Sequence, residues 1–154
     1  MGLGSCWVAG TYDKASVICK LQEGETLYGV IPLGYVAEKM PVKQKMIRAA
    51  IRAKDRKLEQ FVESDTVWSE LPAWFRRAVE AVKLGPSAVN QQPVNFTYQA
   101  GKVTARLWKK PSTMAWMDMG IAKYQFEVGA ADAGVCGRWS FGDGAVFQAD
   151  FLSR

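Results

Sequence analysis

The stretch Leu84-Gly85-Pro86-Ser87-Ala88-Val89-Asn90-Gln91-Gln92-Pro93 separates two kinds of chain. Before it, Pro72 suits a helix start, and Ala73 to Lys83 carries apolar residues at helical spacing. After it, Asn95 to Gln99 and Lys102 to Trp108 read as a hairpin turning at Ala100-Gly101. Gly85-Pro86 ends the helix, and the two prolines constrain the backbone between them. Ser87, Asn90, Gln91 and Gln92 place short or amide-bearing side chains in that constrained segment, which suits it to hydrogen-bond a planar ligand. Ser, Asn and Pro are also ordinary turn residues, so a plain helix-to-strand turn is the competing reading.

The remaining elements are read outward from this stretch. Ser5 to Ala9 reads as a short buried strand, and Asp13 is placed to cap a short helix reaching Cys19 or Leu21. Gly24 breaks the chain, and Leu27 to Leu33 is a second apolar strand. Val42, Met46, Ala49 and Ala53 follow Pro41 at helical spacing, and Asp65 to Leu71 reads as a loop. The longest helix is expected over Trp116 to Ala133, with Met119, Ala122, Phe126, Ala130 and Ala133 on one face and Gly134 as its stop. A last strand is expected over Val146 to Phe151. Strands and helices interleave without a βαβ repeat, which predicts an α+β fold.

Composition narrows the function classes. The chain has 154 residues, enough for one domain with a real core, and 49% of them are apolar. It contains no histidine, which removes His-based general-base catalysis, Ser-His-Asp and Cys-His nucleophilic sites, and the commonest zinc ligand. Cys6, Cys19 and Cys136 are odd in number and widely spaced, as expected of reduced thiols in a cytoplasmic protein. Cys6 in particular reads as a buried small hydrophobe. No apolar run approaches the roughly 20 residues of a membrane helix, and residues 1–10 lack the pattern of a signal peptide. A net charge of +5 permits nonspecific phosphate contact, but no nucleic-acid-binding signature accompanies it.

Four segments together resemble the nitroreductase family of FMN-dependent flavoproteins. Gly85 to Val94 resembles the family pattern APSAxNxQPW, with Gly85 in place of Ala and Val94 in place of Trp. Gly2-Leu3-Gly4-Ser5-Cys6-Trp7-Val8-Ala9-Gly10 resembles GLGTCWxGG, and Gly29 to Lys39 resembles xxVPLGYPAEK with Val36 at the usual Pro. Asp118-Met119-Gly120-Ile121-Ala122 followed by Phe126-Glu127 resembles DxGIAxxxFE. Their order is closest to a subgroup in which the Gly-Cys-Trp segment comes before the Pro-Ser-Asn-Gln-Pro segment.

The resemblance implies a nitroreductase-like mixed sheet flanked by helices. It also implies hydride transfer from NAD(P)H through flavin to a nitroaromatic or quinone-like acceptor. The cofactor carries such chemistry, so the lack of histidine does not count against it. By resemblance, Pro86, Ser87, Ala88 and Asn90 line the FMN ribityl chain and ring edge, and Gln92 helps hold the loop. Trp7, Val8, Ala9 and Gly10 face the isoalloxazine, where N–H groups near Ala9 and Gly10 stabilise negative charge on the reduced ring.

The family usually opens on an RRSxR segment that holds the phosphate, and nothing here matches it. Lys43 and Lys45 are the remaining phosphate candidates, against a competing reading in which Lys43, Lys45, Arg48, Arg52, Lys54, Arg56 and Lys57 form a solvated helix face. The chain therefore reads as the later portion of a longer member, a single domain over residues 1–154. Gly134 to Trp139 echoes Gly2 to Trp7, and Gly120 and Gly129 are expected to permit close helix packing. Asp118 is expected to cap the long helix, and the six Trp read mostly as core residues, with the border of a substrate opening as the alternative for Trp108 and Trp116, which flank a loop. A family fold without tight flavin binding, acting as a binding or structural module, is the alternative, and homodimerisation is compatible with either.

Overall fold

A computed structural model describes residues 2–9, 12–39, 41–42, 45–46, 49, 55–108, 113–142 and 144–151. The chain, read above as one domain, divides by its internal contacts into two units, Met1–Lys45 and Met46–Arg154.

In the first unit, strand β1 (Leu3–Ser5) pairs antiparallel with β2 (Leu33–Tyr35), in the register Leu3 with Tyr35 and Ser5 with Leu33. Val8 and Val30 add one bridge, each N–H donating to the other's carbonyl at 2.9 Å. Both strands differ from expectation in place and in burial. The first begins earlier than Ser5, the second later than Leu27, and Leu3, Leu33 and Tyr35 are exposed. Apolar runs signal strands only where a second layer covers them, and a pair of three-residue strands supplies none. Cys6, Cys19 and Cys136 are all exposed, contrary to the buried reading of Cys6. Asp13 does cap as expected, accepting from the Ala15 N–H at 3.0 Å and the Ser16 hydroxyl at 2.8 Å, but the element is a single 3-10 turn, Lys14–Ser16.

The second unit is α+β. Its sheet has the order β3-β4-β5-β7-β6, built from β3 (Val62–Glu63), β4 (Val94–Gln99), β5 (Lys102–Leu107), β6 (Val135–Trp139) and β7 (Ala145–Phe151). Only β3 and β4 run parallel; the other pairs are antiparallel, so the sheet is mixed. The β4–β5 hairpin turns where predicted, with Ala100 at φ 49° and Gly101 at φ 79°. Two successive left-handed residues make the turn whose twist matches that of the strands.

Helix α1 (Ala73–Leu84) and helix α2 (Thr113–Asp132) pack on each other, and α2 also packs on β4, β5 and β6. Met119, Ala122, Phe126 and Ala130 form the buried stripe of α2, while Ala133 lies past the helix end and is exposed. Gly134, at φ 83°, closes the helix by donating its N–H to the Ala131 carbonyl at 2.9 Å. Phe126 is the hub of the core. Its ring stacks on Phe96 with centroids 5.0 Å apart and meets the edges or faces of Phe147 and Trp139 at 5.1 Å each and of Phe75 at 5.8 Å. Offset and edge contacts of this kind add to the area burial of each ring.

The two α2 glycines differ. A Cβ on Gly129 would lie 2.7 Å from the Ala78 Cα, the Ala81 Cβ and the Arg77 carbonyl, so this glycine lets α1 approach. Gly120 is exposed and a Cβ there would meet nothing within 4 Å, which corrects the packing role expected for it. No helix among the described residues is long and apolar enough to cross a membrane.

Candidate functional site

The segment from Gly85 to Pro93 leaves α1, makes one tight turn and enters β4. Gly85 adopts the extended conformation that a following proline favours (φ −68°, ψ 147°). Its N–H still bonds back to Val82 at 3.0 Å, and a Cβ on it would lie 2.8 Å from the Gln125 side chain of α2. Ser87 then anchors a 3-10 turn, Ala88–Asn90. The Ser87 carbonyl accepts the Asn90 N–H at 3.1 Å, and the hydroxyl oxygen accepts the Gln92 N–H at 2.9 Å.

The backbone of this turn is strained. Val89 (φ 45°), Asn90 (φ 54°) and Gln92 (φ 43°) are left-handed, and Ala100 is the one other non-glycine residue of that kind among those described. Each such residue costs about 1–2 kcal/mol, and a β-branched valine is among the least tolerant. Strain concentrated in one loop persists only where the surroundings hold it.

Three side chains do the holding. Asp118, 4% exposed on the inner side of α2, accepts the Ala88 N–H at 3.0 Å on Oδ1 and 3.2 Å on Oδ2. Burial pushes its carboxyl above the ordinary range, and the Ala88 N–H pulls it part of the way back. Asp118 lies six positions into α2 (Thr113–Asp132), so it tethers the loop rather than capping the helix. Gln92, 6% exposed, donates its Nε2–H to the Lys83 carbonyl at 2.8 Å and so closes the last turn of α1. Its Oε1 is buried with no donor opposite it.

The third is Arg56, which sequence reasoning placed on a solvated helix face. It is instead folded inward. Nη1 donates to the carbonyls of Gln92 (2.5 Å) and Val94 (3.3 Å), and Nη2 to the Gln60 carbonyl and to Asn95 Oδ1 (2.6 Å). The guanidinium lies over the Phe61 ring at 4.2 Å and the Trp108 ring at 4.8 Å. Burial lowers its pKa to about 10, at which it is still charged at neutral pH. Trp108 Nε1 also donates to the Gln92 carbonyl, at 3.1 Å.

The loop borders a recess of about 250 Å³, counted with the space that opens to solvent, whose walls include Phe61, Gly85, Ser87, Gln92 and Asp118. Its enclosed part has room for about one water molecule, far less than a flavin ring occupies. The structure thus brings Pro86, Ser87, Ala88, Asn90 and Gln92 into one loop. The Ala88 N–H is already engaged by Asp118, and the Ser87 hydroxyl retains its proton to donate. The Asn90 amide has no partner among the described residues. Trp7, Val8, Ala9 and Lys45 belong to the first unit. Trp7 is 41% exposed, the Val8 N–H is taken by the bridge to Val30, and Lys45 is exposed. Gly10 and Lys43 lie outside the described residues. No cluster of metal-ligating side chains occurs among the described residues.

Asp118 had a readable signal, since an acidic residue four before Ala122 falls on the apolar stripe. Arg56 had none, because three of its four acceptors lie 36 to 39 positions further along the chain.

Comparison with known proteins agrees with this layout. A search of the solved structures matches a "putative nitroreductase" from Thermotoga maritima MSB8 at 20% identity and a TM-score of 0.59, covering 99% of this chain. The match takes in 57% of that protein, so the chain spans less than two-thirds of its length. No curated protein matches the chain. The family model described as "Putative TM nitroreductase" matches residues 1–130, and the chain belongs to that nitroreductase family.

Proposed function

We propose that the chain acts as an FMN-dependent oxidoreductase of nitroreductase type, with NAD(P)H as donor and a nitroaromatic or quinone-like compound as acceptor. One observation beyond family membership supports this reading: the loop from Gly85 to Pro93 combines strained backbone with a buried acceptor, Gln92 Oε1, that lacks a donor. A buried unpaired oxygen costs about 1–3 kcal/mol, which a ligand hydroxyl or imide N–H removes on binding. FMN carries both kinds of donor, so these residues fit it. Asn90 offers an amide donor and acceptor, and Ser87 a hydroxyl proton, toward the ribityl chain and ring edge. Lys43 and Lys45 are the candidate cations for the phosphate, and Trp7, Val8, Ala9 and Gly10 for the ring. Bound FMN supplies the hydride chemistry; the residues bind it, orient it and keep water from it. Three exposed, unpaired cysteines accord with a reducing, cytoplasmic setting.

The size of the recess favours the second reading, a family fold that binds no flavin tightly. An FMN titration followed by flavin fluorescence separates the two. The first reading expects saturable quenching at micromolar FMN, weakened roughly five- to tenfold by Asn90→Ala, the loss of about one hydrogen bond. Absence of quenching in a sample with native circular dichroism would reject it.

A further inference from the structure

We infer that Arg56 is the positioning residue of the Gly85–Pro93 loop, holding Gln92 left-handed and thereby setting the loop's affinity for a ligand. Its four acceptors fall on both sides of the loop's exit: the Gln92 and Val94 carbonyls, the Gln60 carbonyl and Asn95 Oδ1. Gln92 and Val94 flank Pro93, which has no N–H of its own with which to fix this bend. The guanidinium therefore supplies from outside the hydrogen bonds that the proline denies the turn.

Two aromatic faces set its plane. Phe61 lies at 4.2 Å and Trp108 at 4.8 Å, and Trp108 adds a second donor to the Gln92 carbonyl. That carbonyl is consequently held by two donors from different parts of the fold. With the peptide of Gln92 fixed, its side chain is committed to the Lys83 carbonyl through Nε2, and Oε1 is left without a donor. The opposite end of the loop is tethered by Asp118 at Ala88. Arg56 has no carboxylate partner among the described residues. The cost of half-burying a guanidinium without a counter-charge is offset by its hydrogen bonds and by the rings around it. An ammonium group cannot reproduce a planar fork that reaches four acceptors.

The consequence for ligand affinity rests on the flavin reading, and the test keeps the two apart. Amide hydrogen exchange is measured on the full chain without ligand, for wild type, Arg56→Lys and Trp108→Phe. The loop amides of Asn90, Gln91 and Gln92 are compared with the core amides of Val103 and Phe126. Arg56→Lys is expected to speed loop exchange about tenfold or more with the core unchanged, and Trp108→Phe, which keeps a smaller aromatic face and removes the indole N–H, about threefold. FMN affinity is expected to fall by about the same factors.

Core exchange that rises together with the loop in Arg56→Lys would mean global destabilisation. Trp108→Phe then decides the matter, and unchanged loop exchange in that variant overturns the inference. Unchanged loop exchange in both variants overturns it as well. A wild type that ignores FMN, with a loop that loosens in the variants, rejects the flavin reading and leaves the role of Arg56 standing.

Discussion

Adding one methyl group at either of two positions of α2 should move stability in opposite directions. At Gly129 the new Cβ would stand 2.7 Å from three atoms of α1, two of them backbone. Carbon atoms pack at about 3.5–4.0 Å, so the helices must separate by roughly 1 Å. Overpacking of this kind costs about 1–3 kcal/mol, and rigid backbone on the receiving side places Gly129→Ala toward the upper end. Alanine returns about 1 kcal/mol of helix propensity. The net expectation is a loss of about 1–2 kcal/mol, or roughly 2–8 °C in Tm for a chain of this size. At Gly120 nothing lies within 4 Å, so only the propensity gain applies and Gly120→Ala should raise Tm by about 2–4 °C. Thermal melts and urea titrations of the two variants give the answer side by side. The loop should also respond to Gly129→Ala, because α1 leads into it and Asp118 of α2 tethers it. A Gly129→Ala variant as stable as wild type would refute the packing described for α1 and α2.

Asp118→Asn should flatten the pH dependence of stability. A carboxyl raised in the fold binds its proton more readily there than in the unfolded chain. The folded state is therefore favoured as pH falls through the raised value, and the cost of the buried charge is fully present above it. Asparagine still accepts the Ala88 N–H but has no such slope, so the stability curves of the two proteins should diverge just above the ordinary carboxylate range. Parallel urea midpoints across pH 4–7, a window set at about the ordinary Asp value and upward, would contradict the buried placement. All three cysteines should react with a chromogenic disulfide reagent within minutes in the absence of denaturant. A thiol that reacts only after unfolding would contradict its exposed position.

What the sequence made legible had local causes. Pro72 and Gly85 bracket α1, Ala100-Gly101 turns the hairpin, and Met119, Ala122, Phe126 and Ala130 repeat on one face of α2. Strand β6 was not foreseen as a strand, although Val135, Gly137 and Trp139 do alternate inward. The middle member of that series is a glycine because the Phe147 ring covers it, a Cβ there lying 2.5 Å from Cζ. The position that would have shown the alternation is thus the one that cannot carry a side chain. Its echo with Gly2 to Trp7 is nonetheless partly physical, since Gly2 (φ 66°) and Gly134 (φ 83°) are both left-handed residues leading into strands. Strand β3 is two residues long and gives no periodicity to read. The loop was found by composition and family pattern, while its restraints come from Arg56, which no local pattern marks, and from Asp118, which read as a helix cap and instead tethers a loop 30 positions earlier.

The order of strands bears on how the second unit assembles. β4 with β5 and β6 with β7 are each neighbours in sequence, so both hairpins form from nearby residues. One seam, Val103 to Phe147 through Ala105 to Ala145, joins them across the intervening helix. Local hairpins close in microseconds, whereas a seam between distant segments waits on loop closure. A hairpin already closed when the seam forms is present at the barrier, so losses within either turn should mainly slow refolding, while equal losses along the seam, at Thr104 or Val146, should divide between slower refolding and faster unfolding.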